Sequence, residues 1–383
     1  MKDYSKLALE MHERLKGKLE ILSKKKIKSK EDLSILYTPG VAEPCRKIHE
    51  NQKEIYKYTM KENTVAVITD GSAVLGLGNI GAEAALPVME GKAILFKEFA
   101  DINAFPICLK NQNVQQTIET IKNISPVFGG INLEDIKAPE CFEIEKALQD
   151  LGIPVMHDDQ HGTAVVVLAG IINSLKVVKK EIEQVKIVIN GSGAAGIAVT
   201  KLMLKYGFKN MILLDSEGII YKGRRNLNKI KEEIASITNH NLQQGDLSEA
   251  MKRTDIFIGL SKPNLLTKEM IKTMNDKPVI FALSNPNPEI MPDLAKESGA
   301  FIVATGRSDF PNQINNVLAF PGIFRGALDI KAKRITDEMK ISAAEALSSL
   351  IKNPTKDEIL PYVLDKSIVP KIAEAVKKAY REL

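Results

Sequence analysis

Two acid pairs carry the densest chemistry in this sequence. The run His157-Asp158-Asp159-Gln160-His161 lies close to the zinc-hydrolase pattern H-E-x-x-H, and a second pair, Glu134-Asp135, follows "FGGINL". The zinc pattern works only on a helix, where two histidines four apart share one face. Here Gly152-Ile153-Pro154-Val155-Met156 reads as a short extended run. Gly162-Thr163 then precede an apolar run from Ala164 to Ile172, which reads as the start of a buried helix. The polar cluster is therefore expected on a strand-to-helix turn, which does not set His157 and His161 on one helical face. Acid pairs on a surface are commonly just solvated. Taken with Asp159, however, Glu134 and Asp135 amount to three hard oxygen donors, a set suited to Mg2+ or Mn2+ rather than zinc.

A second constellation points to a nucleotide. Val185–Ile189 reads as a strand, Asn190 and "GSGAAG" follow (Gly191, Ser192, Gly193, Ala194, Ala195, Gly196), a helix runs through Tyr206, and the strand Met211–Leu214 ends at Asp215. Strand, glycine turn, helix, strand and terminal acid together form the dinucleotide-binding pattern. In it Gly191 lets the chain turn, Gly193 lets the backbone approach a pyrophosphate, and Gly196 lets helix pack on strand. Asp215 is expected to accept from a ribose 2′-hydroxyl, which favours NAD, while Lys222, Arg224 and Arg225 offset its charge so that NADP is tolerated. Asp255–Gly259, Pro278–Leu283 and Ala300–Ala304 read as further parallel strands. The loops "SNPNP", with Asn285, and "ATGRSD" follow two of these and should line the crevice.

The elements that must position these groups indicate an α/β protein of two domains. One is a Rossmann-like dinucleotide-binding domain, the other an N-terminal α/β catalytic domain, with a cleft between them; the division expected is 1–155 and 156–383. At 383 residues the chain is long enough for two cores. In the first part Thr64–Thr69, Ala93–Phe96 and Ala104–Ile107 read as strands, and Val114–Ile124 and Glu140–Leu151 as helices. An amphipathic N-terminal helix (Leu7, Met11, Leu15) leads into the lysine run Lys24–Lys30, read as a solvated connector. The C-terminal helices, from about Lys340 to Leu383, are expected to pack back across the molecule or onto a partner. A net charge of +5 with scattered lysines implies no nucleic acid. Cys45, Cys108 and Cys141, odd in number and far apart, argue against a disulfide framework. No N-terminal apolar segment and no apolar stretch of about 18 residues is apparent, so no membrane is implied and the cytoplasm is the expected address.

Seven collinear segments resemble the malic enzymes in their short bacterial-type form: "LYTPGVA", "TDGSAVLGLGNIG", "EGKAILF", "HDDQHGTA", "NGSGAAG", "LSNPNPE" and "NNVLAFPG". The resemblance implies oxidative decarboxylation of L-malate to pyruvate and CO2, with reduction of NAD(P)+ and dependence on Mg2+ or Mn2+. It implies Lys92 as the base at the C2 hydroxyl and Tyr37 as the acid that protonates enolpyruvate. Glu134, Asp135 and Asp159 become the metal ligands, and Asn285 and Asn316 amides facing substrate and nicotinamide. Asp158 is expected to position Lys92 or relay its proton. The resemblance further implies a homodimer in which Tyr37 and Lys92 of one site come from different subunits. One departure stands out. Larger members carry an arginine after their Asp-Gly that clamps a substrate carboxylate, whereas this chain reads Asp70-Gly71-Ser72-Ala73, so the carboxylate partner stays open. Three alternatives also remain open at this point: a malolactic conversion with retained NAD, an amino-acid dehydrogenase, and a non-enzymatic nucleotide sensor.

Overall fold

The structure is a computed structural model that describes residues 4–110 and 113–381. Among the described residues, ten strands form two sheets. The first contains β1 (Thr64–Thr69), β2 (Asn103–Cys108), β3 (Gly130–Leu133) and β4 (Val155–His157), in the order β2-β1-β3-β4, all parallel. The second contains β5 (Lys186–Asn190), β6 (Asn210–Asp215), β7 (Gly218–Ile219), β8 (Ile256–Gly259), β9 (Val279–Ala282) and β10 (Ile302–Thr305), in the order β10-β9-β8-β5-β6-β7. Its strands are parallel except for β7, which turns back on β6. Central strands such as β1 are buried along their whole length because helices cover both faces. That is why they read as unbroken apolar runs rather than as alternating ones.

Two registers position the chemistry. Leu133 of β3 lies opposite His157 of β4, so the next residues, Glu134 and Asp158, leave neighbouring strands side by side. Asn190 of β5 lies opposite Gly259 of β8, where the strand order of the second sheet reverses. A crevice opens at such a point, beyond the strands' carboxyl ends.

Three readings of the sequence are corrected. Ala93–Phe96 is not a strand but part of the helix Ala82–Ala100. Its buried positions Ala85, Met89, Lys92, Ala93, Phe96 and Ala100 recur at helical spacing, and the short run Ala-Ile-Leu-Phe alone does not reveal that period. The helix expected over Glu140–Leu151 stops at Ala147. The run 158–161 is not a turn before a helix; the helix Asp158–Val178 begins at Asp158 itself, with His157 as the residue that precedes it. Among the described residues this helix is long and apolar enough to cross a membrane, which the sequence reading had missed. Yet 67% of its most apolar stretch is buried inside the molecule, so it is a core helix.

One apolar core runs from Val65, Met89 and Phe96 of the first sheet's layer through the Asp158–Val178 helix to Ile187, Ile258 and Phe281 of the second. The C-terminal helices Asp337–Ser348 and Ile368–Ala379 pack on the helices Asp158–Val178 and Phe320–Asp329 respectively. The second contact is close: a Cβ on Gly326 would meet the Ala373 carbonyl oxygen at 2.6 Å, and one on Gly322 would meet Ile372 Cβ at 2.7 Å. At the other end of the chain, no described residue before Lys61 is buried. The N-terminal helix Tyr4–Leu15 forms as expected, but Leu7, Met11 and Leu15 face solvent. All three cysteines are free thiols.

Candidate active site

A cleft of about 1210 Å³ separates the two sheets and is lined from both. From the first come Lys92, Glu134 and Asp135; the inter-sheet helix gives Asp159 and Thr163; the second gives Gly193, Ala194, Ala195, Ser284, Asn285 and Asn316. Most residues singled out in the sequence therefore meet at one place. Tyr37 does not. It ends the helix Lys30–Leu36, is 66% exposed and lies outside the cleft of its own chain.

Lys92 is the centre of the buried part. Its Nζ lies 2.6 Å from Asp158 Oδ2 and 2.9 Å from Glu134 Oε1, with the Phe320 ring 4.3 Å away. Burial alone would lower the lysine's pKa, but Asp158 and then Glu134 outweigh it and hold the group well above its ordinary value. Burial also raises Asp158 and Glu134 above the usual carboxylate range, against the pull of Lys92. Asn132, itself buried, donates its amide to Glu134 Oε2 at 2.8 Å and so orients that carboxylate. Gly162 has a steric reason: a Cβ there would fall 1.8 Å from Asp158 Oδ1. The sequence reading missed Asn132, Gly162 and Phe320. Gly162 and Phe320 stood inside segments already singled out, but nothing local marked them as neighbours of Asp158 and Lys92.

Glu134, Asp135 and Asp159 each offer an oxygen within 4.8 Å of the other two. The Asp135 N–H donates to Asp159 Oδ2 at 2.8 Å, and Asp135 holds a left-handed backbone, φ 53°. Such strain persists only where the surroundings impose it. Ser72 and Ala73 help to do so, Ser72 Oγ accepting from the Lys137 N–H and the Ala73 N–H donating to the Asp135 carbonyl, both at 2.9 Å. Ser72 and Ala73, which follow Asp70-Gly71, thus fasten the acidic loop. With Asp158, four carboxylates are gathered near one ammonium, which pairs directly with two of them. That excess of hard, anionic oxygen fits a divalent cation such as Mg2+ or Mn2+. Neither histidine belongs to the trio: the buried His157 ring makes no hydrogen bond, its Nδ1 lying 3.8 Å from Asp159 Oδ2, and His161 Nε2 lies 3.0 Å from Glu145 Oε2.

The glycine turn supplies the cleft's second half. Gly191 has φ 125°, and a Cβ there would meet the Leu260 carbonyl oxygen at 2.4 Å; on Gly196 it would meet the Gly191 oxygen at 1.7 Å. Around Gly193, which precedes the helix Ala194–Tyr206, nothing lies within 4 Å of a Cβ. Backbone N–H groups at that helix start are open to an anionic ligand. Half-buried Ser192 completes the turn. Asp215 ends β6 but is already engaged. Lys231 Nζ lies 2.6 Å from its Oδ2, Arg224 donates to both oxygens, and the Glu217 N–H donates to Oδ1. Burial raises this carboxylate, yet Arg224 and Lys231 pull it down to about 2. Of the three cations expected to offset Asp215, Arg224 pairs with it; Lys231, from the next helix, was not foreseen.

Comparison with known proteins follows this geometry. Residues 160–380 match the family described as malic enzyme, NAD binding domain, and residues 16–116 and 110–149 match malic enzyme, N-terminal domain. The chain is 55% identical over 379 residues to the bifunctional malic/malolactic enzyme of Bacillus subtilis, covering 98% of this chain and 92% of that one. It is 47% identical over 393 residues to the NADP-dependent malic enzyme of Halomonas elongata, covering 97% and 92%. The crystal structure of the NAD-dependent malic enzyme from Thermotoga maritima superposes with a TM-score of 0.94 at 52% identity, covering 97% of this chain and 98% of that one. Both halves of the sequence and the whole fold agree, and the chain belongs to the malic enzyme family.

Proposed function

We propose that this chain converts L-malate to pyruvate and CO2, reducing NAD+ or NADP+. The observation that carries the proposal is the Lys92–Asp158–Glu134 network, set beside a carboxylate trio and across the cleft from a dinucleotide turn. Lys92, having passed its proton to Asp158, takes the proton of the C2 hydroxyl as the C2 hydride leaves to the coenzyme. The C4 carboxylate then departs as CO2, and Tyr37 protonates C3 of the enolpyruvate left behind. A divalent cation held by Glu134, Asp135 and Asp159 supplies, when bound, a Lewis acid for the developing charge on the substrate's C2 oxygen. Asn285 and Asn316 line the cleft where substrate and nicotinamide meet, and Gly191–Gly196 cradle the pyrophosphate.

Because Tyr37 is exposed and does not line its own cleft, we further propose a homodimer in which each subunit lends Tyr37 to the other. Residues 4–60, unburied in the chain, supply the surface for it. Family membership sets aside the amino-acid dehydrogenase and the nucleotide sensor. The malolactic outcome stays as a second reading because the Bacillus subtilis relative is named for both activities.

Incubation of the protein with L-malate and Mn2+, with NAD+ and NADP+ in parallel, tests the proposal. Pyruvate in equal amount to reduced coenzyme, abolished by chelation and restored by Mn2+, is the expected result. Lactate without free reduced coenzyme would establish the malolactic reading instead, and turnover indifferent to chelation would remove the cation from the reaction.

A further inference from the structure

The two histidines that flank the acids have no place in the reaction so far, and one carboxylate from another helix meets both, His157 through its backbone N–H and His161 through its ring. Glu145, on Glu140–Ala147, accepts the His157 N–H through Oε1 at 2.9 Å and meets His161 Nε2 through Oε2 at 3.0 Å. It thereby grips the residue just before the Asp158–Val178 helix and the residue four further on, closing a loop around Asp158 and Asp159. The helix needs such a grip. His157 provides no side-chain cap, so the first N–H groups lack a local acceptor, and a carboxylate placed there also meets the positive end of the helix dipole.

Glu145 does this from behind. Asp159, Thr163 and Val166 line the catalytic cleft, whereas Gln160, His161 and Glu145 line a separate cavity of about 960 Å³. At 3.6 residues per turn these are opposite faces of one helix. A group on the far face touches neither substrate nor cation, but it fixes the rotation of the turn from which Asp159 points into the cleft.

We infer that Glu145, oriented by His161, is a positioning residue for the cation site, holding the first turn of the Asp158–Val178 helix so that Asp159 meets Glu134 and Asp135. The inference rests on the proposed cation site. It also gives the paired histidines a use: His161 steers the staple, and His157 offers its backbone to it.

The test is Mn2+ binding to the protein without malate or coenzyme, followed by the paramagnetic resonance of free Mn2+, with NAD+ affinity measured alongside. Glu145→Ala is expected to weaken Mn2+ binding by about 10- to 100-fold, the usual cost of losing a group that orients a metal ligand, while NAD+ affinity stays unchanged. Glu145→Gln should recover most of it, since an amide oxygen can accept the His157 N–H and the amide NH2 can donate to His161. Should Glu145→Ala not fold, Glu145→Asp, one methylene too short to reach both partners, takes its place with the same expectation. Unchanged Mn2+ affinity in the folded variant would overturn the inference and leave the cation site standing. Equal losses for Mn2+ and NAD+ would overturn it as mere loosening of the fold. If the unsubstituted protein does not bind Mn2+, the cation site and this inference fall together.

Discussion

Lys92 is held between two carboxylates, and in the proposed reaction the balance of those charges decides when it acts as a base. Asp158, fully buried, is the closer of the two. Asp158→Asn removes the charge that raises Lys92 and the acceptor for its proton, so turnover should fall by about 100-fold or more. Lys92 then loses its proton at lower pH, and the acid limb of the rate profile should move to lower pH; unimpaired turnover with an unmoved profile would show that Asp158 neither positions nor relays. Asp215 poses the same question for the coenzyme. Its folded pKa of about 2 lies below the unfolded value of about 3.9. Its pairing therefore stabilises the fold above about pH 4 and is lost as pH falls towards the folded value. Arg224→Ala should flatten that part of the acid denaturation curve. By unmasking negative charge it should also raise the NAD+ over NADP+ ratio of kcat/KM by about tenfold, some 1.4 kcal/mol. Steady-state kinetics with the two coenzymes in parallel would check the second effect, and an unchanged ratio would separate Asp215 from coenzyme choice. The glycines were legible because strand, turn and helix frame them, and the acids because three hard oxygen donors recur in two pairs, whereas Lys92 entered only through the resemblance to a family. Lys231 was not legible, since an exposed-looking lysine on a following helix carries no mark of the carboxylate it will reach.

Elements were legible where their period was long enough to declare itself. Strands β5, β6 and the helix between them came out within a residue or so, because glycines and β-branched runs punctuate them. Two failures share a cause, namely local chemistry overruled by distant partners. Ala93–Phe96 has strand-like composition, but Lys92 and Phe96 must both face Phe320, and only a helix puts them there; the Phe96 and Phe320 rings stack edge to face at 4.8 Å. Asp158 to His161 look like a turn, but Glu145, from another helix, accepts the N–H of His157 just before them and meets His161, which holds the helix start. Phe320 in turn begins the helix that packs on Ile368–Ala379 through Gly322 and Gly326. Gly326→Val must push those helices apart, at a cost of about 1–3 kcal/mol from overpacking. Since the same helix carries Phe320 to Lys92, thermal unfolding should shift down and kcat should drop together. A variant that loses stability with kcat intact would mean that the helix bends without moving Phe320.

At the scale of the molecule, Tyr37 alone of the residues proposed for the chemistry lies away from the cleft, and the surface that carries it is the one the chain leaves unburied. Leu19, Ile21, Leu22, Ile27, Leu33, Ile35 and Leu36 are exposed between the first helix and that tyrosine. Exposed apolar side chains in such number on one segment call for a partner, and a two-fold dimer buries the same patch on both copies. The roles of Tyr37 and Lys92 and their expected placement on different subunits all came from the resemblance, because distance between subunits leaves no pattern within a chain. The arrangement has a consequence that a self-contained site lacks. Tyr37→Phe and Lys92→Ala proteins should each be nearly inactive alone. When the two are unfolded together and refolded, half of the dimers are mixed, and in each mixed dimer one site receives both defects while the other receives an intact Lys92 and an intact Tyr37. Activity should then return to about a quarter of the unsubstituted level, as random pairing of two-fold dimers requires. If Tyr37 served the cleft of its own chain, every site in every mixture would keep one defect and no activity would return. Mixing without refolding supplies the control, since recovery must follow subunit exchange and not the mere presence of both proteins.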